Sequence, residues 1–334
     1  MDRLRIGILG TARIAANALI TPARQVQDAV VTAVAARDPG RARSFAAANG
    51  IPETRESYEA LIAGPDVDAI YNPLPNALHR PWTLRALRAG KHVLCEKPLT
   101  ANAAEAQEVA AAAQTAGRVV MEAFHYRYHP LALRMREIVT GAGGARGGGE
   151  LGPVRHIEVT LRFPTTDPAD IRFSYELGGG ANMDGGCYAI NLIRFLGPGE
   201  PVVRSARAQE SAPDVDIVMT AELGFPSGAT GRFEVSLLPA GTFIADVTVT
   251  GSGGELRAVN FMAPQNGYEM EVTSGGQTRQ EHLTGEPTYT GQLRAFTAAV
   301  LRAAPLPTSA ADAVANMRLV DDVYRAAGLR PRGT

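Results

Sequence analysis

The stretch Arg5–Ala15, RIGILGTARIA, joins a short apolar run to a glycine turn. Gly10, Ala12 and Ala15 stand in the G-x-G-x-x-G/A register, after a predicted strand and at the start of a predicted helix. The first position makes a tight turn, the second lets a pyrophosphate approach the backbone, and the third allows close helix–strand packing. Ala12 adds a methyl group at the second position, and an ordinary strand–helix turn can show the same spacing. The register predicts a dinucleotide site that includes Gly10, Thr11, Ala12, Arg13 and Ile14, with a plain turn as the alternative.

The first third of the chain alternates apolar runs with helical stretches. The runs RIGIL, VVTAVAA, VDAIYN, KHVLC and RVVMEA have the length and composition of buried parallel strands. Repeated strand–helix alternation predicts an α/β fold with a doubly wound parallel sheet of the Rossmann type over residues 1–125.

The pattern changes after Tyr128. The glycine-dense stretch 141–149, GAGGARGGG, predicts a mobile loop. The segment 156–163, HIEVTLRF, then alternates polar and apolar residues, and later segments repeat strands and turns before two helical stretches. Residues 126–334 are therefore predicted to form an α+β domain with a large, mostly antiparallel open sheet, whose last helix is a candidate to pack back on the first domain.

Composition excludes several classes of protein. The 334 residues carry a formal net charge of -1 and no Lys/Arg-rich run, so neither nucleic acid nor an anionic membrane is expected as a partner. The two cysteines lie far apart, which favours a reducing compartment. The chain has no run of 18 apolar residues and no signal-peptide pattern, so a cytoplasmic location is predicted.

The end of the second predicted strand discriminates between cofactors. Asp38 followed by Pro39 fits the N-cap and first position of a helix. A capping Asp38 is less free to bind a ribose 2′-hydroxyl, and Arg37 would then suit the 2′-phosphate of NADP. The alternative is that Arg37 is simply a solvated surface residue.

The stretch Val93–Thr100, VLCEKPLT, places charged residues where the fourth predicted strand ends. Ligands of open α/β sheets bind outside the carboxyl ends of the strands, so Lys97 could hydrogen-bond a substrate hydroxyl or lower the pKa of a neighbouring acid. Glu96 could be its counter-ion or a separate anchor, and a cis Lys97–Pro98 bond would aim the ammonium. An exposed salt bridge at a strand end is the alternative.

A third motif lies in ELGGGANMDGGCYAINLIRFLG. Asp184, Tyr188 and Asn191 stand at i, i+4 and i+7 and would share one stripe of an α-helix. Gly185 and Gly186 each cost about 1 kcal/mol relative to Ala inside a helix, so they predict close approach by a ligand or by backbone. Structural packing of Tyr188 is the alternative.

These motifs, with YNPLPNALH and MEAFHYRYHP, resemble the Gfo/Idh/MocA oxidoreductases over nearly the whole chain. The resemblance implies a Rossmann domain followed by an α/β domain that binds substrate and packs in homo-oligomers, as a homodimer or homotetramer. It implies NAD(P)-dependent transfer of a hydride between nicotinamide and a hydroxyl or carbonyl carbon of a sugar, cyclitol or trans-dihydrodiol. NADP(H) is the expected cofactor, and NAD(H) is the second choice.

The resemblance also assigns roles to particular residues. Lys97, Tyr188 and Asp184 match the catalytic positions. Substrate contacts are expected from these three residues and from His125 and Arg127. The loop bordering the nicotinamide and the motif after the fourth strand add Asn72, Pro73, Leu74, Asn76, His79, Glu96 and Lys97 to the expected cofactor contacts.

Tyr188 departs from the family pattern D-x-G-x-H, where the last position is histidine. The departure resembles the branch that includes dihydrodiol dehydrogenases, aldose dehydrogenases and glucose–fructose oxidoreductases. Tyr188 is then the predicted base, or the acid in the reverse direction. A phenol titrates near pH ~10, so the Lys97 ammonium is predicted to favour the phenolate.

His125 and His129 lie four residues apart, a spacing that can chelate zinc on a helix. The chain lacks the supporting glutamate or a cysteine cluster, so no metal is predicted. Two rival functions stay open: a glycosidase that retains NAD(P) and oxidises its substrate transiently, and a non-catalytic nucleotide-sensing regulator.

Overall fold

A computed structural model describes residues 3–141 and 149–334. These residues form two compact units, one from 3–125 with 289–315 and the other from the remaining described residues between 126 and 288 with 316–334. The interior of the predicted glycine loop, residues 142–148, lies outside the described part. The predicted domain division at residue 125 stays a prediction.

The first unit contains a parallel sheet of six strands in the order β3-β2-β1-β4-β5-β6 among the described residues. The strands are β1 Leu4–Leu9, β2 Ala29–Ala35, β3 Glu53–Arg55, β4 Ala69–Asn72, β5 His92–Cys95 and β6 Val120–Glu122. This order confirms the predicted doubly wound sheet of the Rossmann type. The sequence patterns identified every strand in this set except β3, whose three polar residues carry no apolar run.

Helices connect these strands and bury apolar side chains against the sheet. They are the π-helix Ala16–Ile20, α1 Thr21–Ala23, α2 Pro39–Asn49, α3 Tyr58–Ala63, α4 Asn76–Arg88 and α5 Ala103–Ala116. Ile70 and Val93 of the sheet and Leu87 and Val109 of the helices belong to one buried cluster. Each fully buried aliphatic side chain stabilises the fold by roughly 1.5–3 kcal/mol relative to an exposed one.

The second unit is built on a sheet with the order β14-β13-β12-β11-β7-β10-β9-β8. The strands are β7 Val154–Arg162, β8 Val202–Ala212, β9 Val215–Gly224, β10 Thr230–Ser236, β11 Ile244–Gly251, β12 Gly254–Val259, β13 Glu269–Ser274 and β14 Gln277–Gln280. All described pairs are antiparallel except β7 with β10, which confirms the predicted mostly antiparallel sheet. The alternation in β7 holds as well, because Ile157, Val159 and Leu161 are buried.

The remaining helical elements follow in chain order. They are the 3-10 turn His125–Tyr128, α6 Pro130–Thr140, the 3-10 turn Ile171–Phe173, the π-helix Asn182–Gly186, α7 Cys187–Leu196, the 3-10 turn Pro264–Asn266, α8 Thr288–Arg302 and α9 Ala310–Ala326. Helix α7 packs on β7 and β10, so it covers the apolar face of the second sheet.

Among the described residues, no helix combines the length and the apolar character needed to cross a bilayer.

Candidate active site

The strand order of the first unit brings the predicted cofactor motifs to one edge of the sheet. Strands β2, β1, β4 and β5 are parallel neighbours, so their carboxyl ends lie side by side. The segments that follow these ends carry Gly10, Arg37, Pro73 and Lys97. Ligands of such sheets bind at this edge, next to the point where the strand order reverses.

The turn after β1 has the backbone that a dinucleotide turn needs. Gly10 has a φ of +79°, a conformation that L side chains rarely adopt, and a Cβ there would lie 3.1 Å from Leu74 Cδ2. Its amide donates to the carbonyl of Ala35 over 2.7 Å, which ties the turn to β2. Thr11 and Ala12 are half-buried, whereas Arg13 and Ile14 are exposed. The turn therefore fits the first glycine of the register.

The segment after β2 carries two arginines and a capping aspartate. Asp38 Oδ1 accepts from the amides of Gly40 and Arg41 over 2.7 and 3.3 Å, so the predicted N-cap of α2 is confirmed. The carboxylate is thereby committed to the helix rather than to a ribose. Arg37 and Arg41 are both exposed. Arg41 was not among the predicted site residues, although its place in the first turn of a helix capped by Asp38 could have identified it as a cofactor contact.

The charges of Arg37 and Arg41 act on the hydroxyl of Tyr58. Burial raises the pKa of Tyr58, and the charges of the two arginines act against that rise. An open cleft beside them is lined by Thr11, Asp38, Gly40, Arg41, Ser44 and Phe45. The Arg41 guanidinium at this cleft suits a phosphate dianion, because guanidinium–phosphate hydrogen bonds are charge-assisted and often bidentate.

The turn that carries Lys97 is anchored by two buried side chains, His79 and Glu122. The Lys97–Pro98 peptide bond is cis. His79 Nδ1 lies 2.8 Å from the Pro98 carbonyl oxygen, and the Leu99 amide donates to Glu122 Oε1 over 2.8 Å. Both His79 and Glu122 are fully buried. The backbone around Lys97 is therefore held from the sheet interior, which fixes where its side chain starts.

His79 joins this turn to the loop after β4. Its Nε2 lies 2.6 Å from the Leu74 carbonyl oxygen. The pKa of His79 is lowered to about 4, mainly because the ring is buried. A neutral imidazole has one N–H, so only one of its two carbonyl contacts is a donated hydrogen bond at a time. Asn72 is also engaged, since its Nδ2 lies 3.2 Å from the His79 carbonyl oxygen. Their predicted cofactor contacts stay predictions.

A second group of side chains surrounds Glu96 and His125. The Tyr71 hydroxyl donates to Glu96 Oε1 over 2.7 Å. The centre of the Tyr289 ring lies 4.1 Å from that of the His125 ring. Burial is the main cause that raises the pKa of Tyr289 above its usual range, and the Glu96 charge adds to it. Burial, followed by the Lys97 charge, lowers the pKa of His125 to about 3. His125 is therefore neutral near pH 7, and Tyr289 is a neighbour that the sequence motifs did not reveal.

Asp184 lies in a π-helix rather than in the predicted α-helix. The π-helix spans Asn182–Gly186 and passes directly into α7. A Cβ on Gly186 would lie 2.1 Å from Asn182 Oδ1, and one on Gly185 would lie 2.8 Å from the Phe163 ring. Close approach therefore explains both glycines, and here it comes from side chains of the chain itself. The prediction of one regular helix from Asp184 to Tyr188 is therefore wrong, because Asp184 lies in the wider π-turn and Tyr188 in α7.

The Asp184 carboxylate is held by an arginine. Arg172 Nε donates to Asp184 Oδ2 over 2.7 Å, and Arg172 Nη1 contacts both oxygens of Asp170. The Asp184 charge is the largest cause that raises the pKa of Arg172. One guanidinium and two carboxylates give this cluster a formal charge of -1. Arg172 was not among the predicted site residues.

Tyr188 stands on α7 and is only 3% exposed. Its ring centroid lies 6.1 Å from that of Tyr126, whose hydroxyl donates to Asn191 Oδ1 over 2.6 Å. Arg127 donates to the same oxygen over 3.2 Å and stacks 3.9 Å from the centre of the Phe195 ring. Tyr126 therefore packs beside Tyr188 and is itself held by Asn191. Arg127 packs within this unit, and its predicted substrate contact stays a prediction.

The described residues contain no group of three or more His, Cys, Asp or Glu side chains that could hold a metal ion. The two histidines with metal-type spacing have other contacts. His125 packs on Tyr289, as above, and His129 Nδ1 accepts from the Leu131 amide over 3.1 Å at the start of α6.

Comparison with known proteins gives matches over both units. Residues 4–124 match the profile described as an oxidoreductase family with an NAD-binding Rossmann fold, GFO_IDH_MocA, and residues 139–257 match the GFO/IDH/MocA C-terminal domain. The chain is 37% identical over 326 residues to a D-xylose 1-dehydrogenase (NADP(+)) of Haloferax volcanii, covering 97% of each chain. It is 35% identical over 338 residues to a dTDP-3,4-didehydro-2,6-dideoxy-α-D-glucose 3-reductase of Streptomyces violaceoruber, covering 98% of this chain and 96% of the relative.

A solved structure has the same architecture. A 3-ketoreductase from Actinomadura kijaniata, in complex with NADP and TDP-benzene, superposes with a TM-score of 0.87 at 28% identity and 98% coverage of both chains.

Proposed function

The chain belongs to the Gfo/Idh/MocA oxidoreductase family, and we propose that it transfers a hydride between NADP(H) and a hydroxyl or carbonyl carbon of an unmodified sugar of the D-xylose class. The family and the enzyme class, an NAD(P)-dependent dehydrogenase or reductase, are as the sequence predicts, and so is the NADP cofactor of the relatives. The choice of a free sugar goes one step further and rests on the charges around Asp184.

The Asp184 cluster favours a neutral polyol over a nucleotide sugar. Arg172 is paired with two carboxylates, Asp184 and Asp170, so the cluster is net negative. Carboxylates accept hydrogen bonds from sugar hydroxyls, whereas they repel the diphosphate of a nucleotide sugar. The identity to a D-xylose dehydrogenase over nearly the whole chain supports the same choice.

The pocket after β2 favours NADP over NAD. Arg41 lines the cleft together with Thr11 and Ser44, and Arg37 is exposed just after β2. Asp38 is committed to the helix N-terminus. The residues that would hold the 2′-phosphate are therefore the two arginines. NADP+, when bound, supplies the hydride acceptor.

The proposed roles of the remaining residues follow from their chemistry. Tyr188 takes the hydroxyl proton as the base and returns it in the reverse direction. The Lys97 ammonium, on its anchored turn, hydrogen-bonds the reacting oxygen and favours the charged form of the phenol. Asp184, oriented by Arg172, binds a neighbouring hydroxyl. His125 is neutral near pH 7, so it can accept or donate one hydrogen bond there without adding charge.

An activity screen tests this proposal. D-xylose, D-glucose, myo-inositol, a trans-dihydrodiol and a TDP-sugar are each incubated with NADP+ or NAD+, and release of the reduced cofactor is followed by absorbance. Turnover with a free aldose and NADP+ is expected. Reduction of cofactor only with the TDP-sugar would overturn the choice of substrate.

The rival functions are separated by adding an aryl glycoside and an NADPH-binding titration to this screen. A glycosidase that retains its cofactor would cleave an aryl glycoside without net NADPH release. A regulator would bind NADPH and turn over none of the substrates. Either result would replace the proposed dehydrogenase.

A homo-oligomer, either a dimer or a tetramer, and a cytoplasmic location complete the proposal. The face of the second sheet opposite α7 carries a cluster of ion pairs, in which Arg232 contacts Glu158, Glu222 and Glu234. A half-buried polar face suits a wet interface between two copies of the chain. Light scattering should give a mass of at least two copies at micromolar concentration, and a monomer would contradict it.

A further inference from the structure

A buried charge cluster stands beside the helix that carries Asp184 and Tyr188. Arg332 and Asp216 are both fully buried, and Arg332 Nη2 donates to Asp216 Oδ1 over 2.8 Å. The Tyr324 hydroxyl donates to the same oxygen over 3.0 Å, and the Arg332 guanidinium lies 4.2 Å from the centre of the Tyr324 ring. Charged side chains are rarely buried in full, so the burial of Arg332 and Asp216 needs an explanation.

The cluster holds the backbone that leads into the π-helix. Arg332 Nε donates to the Gly179 carbonyl over 2.6 Å, and Asp216 Oδ2 accepts from the Asn182 amide over 2.7 Å. The Asn182 amide belongs to the first residue of the π-helix, two residues before Asp184. Arg332 and Asp216 therefore hydrogen-bond to the backbone on either side of Gly180.

Gly180 shows how tightly the backbone is held. Its φ is +123°, and a Cβ there would lie 2.2 Å from Asp216 Oδ1, 2.6 Å from Arg332 Nη2 and 2.8 Å from the Tyr324 hydroxyl. The backbone thus runs through a gap that only glycine fits, which leaves little freedom for the turn that starts the π-helix.

We propose that Arg332 is a positioning residue for the reaction: through Asp216, Gly179 and Asn182 it fixes the start of the π-helix, and hence the places of Asp184 and Tyr188. A buried ion pair is a poor source of net stability, since apolar residues of similar volume often stabilise as much or more. The fixed directions of its hydrogen bonds do, however, restrict the backbone from Gly179 to Asn182 to one conformation. Misplacing a catalytic group by about 1 Å can cost roughly 10²-fold in rate, so this restriction matters to catalysis.

The proposal rests on the proposed function for the roles of Asp184 and Tyr188. Arg332→Lys keeps the charge but cannot reach Gly179 and Asp216 with the same planar fork. Tyr324→Phe removes one hydroxyl from Asp216 and keeps the volume. Arg330→Met is the matched control, because Arg330 lies two residues away and its exposed side chain pairs with Asp214 instead.

Three measurements are made on the whole chain. They are hydrogen–deuterium exchange of the amides of residues 181–188, the affinity for NADPH, and kcat with D-xylose and NADP+. For Arg332→Lys we expect exchange of 181–188 to rise and kcat to fall, each by about 10-fold or more, with NADPH affinity within about 2-fold of the parent. Arg330→Met should match the parent in all three.

A folded Arg332→Lys protein with parental kcat overturns the proposal, whether or not exchange rises, because the cluster is then structural only. If this variant does not fold, Tyr324→Phe decides by the same measurements, with an expected fall in kcat of about 3-fold, against none if the cluster is structural only. Absence of turnover by the unaltered chain with every sugar would refute the proposed function, and the exchange of 181–188 would still show whether Arg332 holds the helix.

Discussion

Arg172 and Asp184 are linked twice, once through side chains and once through the backbone next to them. Arg172 Nε donates to Asp184 Oδ2 over 2.7 Å, and the Arg172 carbonyl accepts from the Gly180 amide over 2.8 Å. The 3-10 turn that carries Arg172 therefore moves with the backbone that enters the π-helix. The carboxylate keeps one orientation because its cation and its own backbone share the same support.

Arg172→Met removes the cation and keeps most of the side-chain length. Asp184 loses its fixed orientation, so the KM for D-xylose should rise by about 10-fold, as expected for a lost charge-assisted hydrogen bond. NADPH affinity should be unchanged. Arg325→Met is the control, since Arg325 pairs with Asp322 on the surface of α9. Equal KM values for Arg172→Met and the parent would show that Asp184 does not bind the sugar.

Arg37→Ala and Arg41→Ala should each weaken NADP+ binding by roughly 1.5–3 kcal/mol, the usual value of a hydrogen bond to a charged group, and leave NAD+ binding nearly unchanged. The reason is that only NADP+ carries the 2′-phosphate. Titration of each variant with both cofactors measures the difference. Arg88→Ala, at an exposed position of α4, controls for loss of a surface charge. Similar losses for NAD+ and NADP+ would refute the assignment of the pocket.

Tyr188→Phe removes only the phenolic oxygen, so fold and NADPH affinity should survive. The rate with D-xylose should fall by roughly 10²–10⁴, the usual contribution of a positioned acid–base group. Single-turnover kinetics measure the chemical step directly. Near-parental turnover with normal cofactor binding would make Tyr188 a packing residue, with Asp184 and His125 as the next candidates for the base.

Lys97→Met keeps the volume of the side chain and removes its charge. Without the cation the phenolate is less favoured, so the pKa that governs activity should rise and the remaining activity should move to higher pH. A pH–rate profile of kcat tests this. A lower rate with an unshifted profile would assign Lys97 to binding the hydroxyl alone.

Glu281 should make the second unit sensitive to acid. Hydrogen bonds from Arg134 and then Arg279 lower the pKa of Glu281 from 4.5 to about 2. Since the folded pKa lies below the unfolded one, the carboxylate stabilises the fold above pH 4.5, and this contribution is lost as the pH falls towards 2.

Glu281→Gln should therefore lower the free energy of unfolding by about 1–3 kcal/mol at neutral pH and have little effect near pH 2. Urea unfolding at several pH values measures the difference. Glu271→Gln, at an exposed position of β13, should show no comparable loss at any pH. A pH-independent effect of Glu281→Gln would mean that packing rather than charge is responsible.

Most of the fold could be predicted from local sequence patterns. The N-cap at Asp38 was predictable because a cap acts within three residues, and the strands of the parallel sheet were predictable because each is a continuous apolar run. The three residues of β3 carry no such signal. The π-helix at Asn182–Gly186 was not predicted, because spacing alone does not reveal how closely Phe163 and Asn182 approach its two glycines.

The supports of the site were less predictable than its reacting groups. Lys97, Asp184 and Tyr188 stand in recognisable motifs, whereas Tyr289 and Arg332 act through contacts between distant parts of the chain. Arg332 meets Gly179 across 153 residues of sequence. No periodicity or local spacing links such positions, so only the folded chain shows them together.

The single tryptophan of the chain, Trp82, gives the cofactor pocket its own optical signal. Its ring meets that of Tyr58 edge-on at 4.8 Å, and Tyr58 lies beside Arg37 and Arg41. Indole emission therefore originates from one place, next to the arginines proposed to hold the 2′-phosphate. A fluorescence titration with NADP+ and without any label is expected to report binding at the proposed adenosine end of the cofactor.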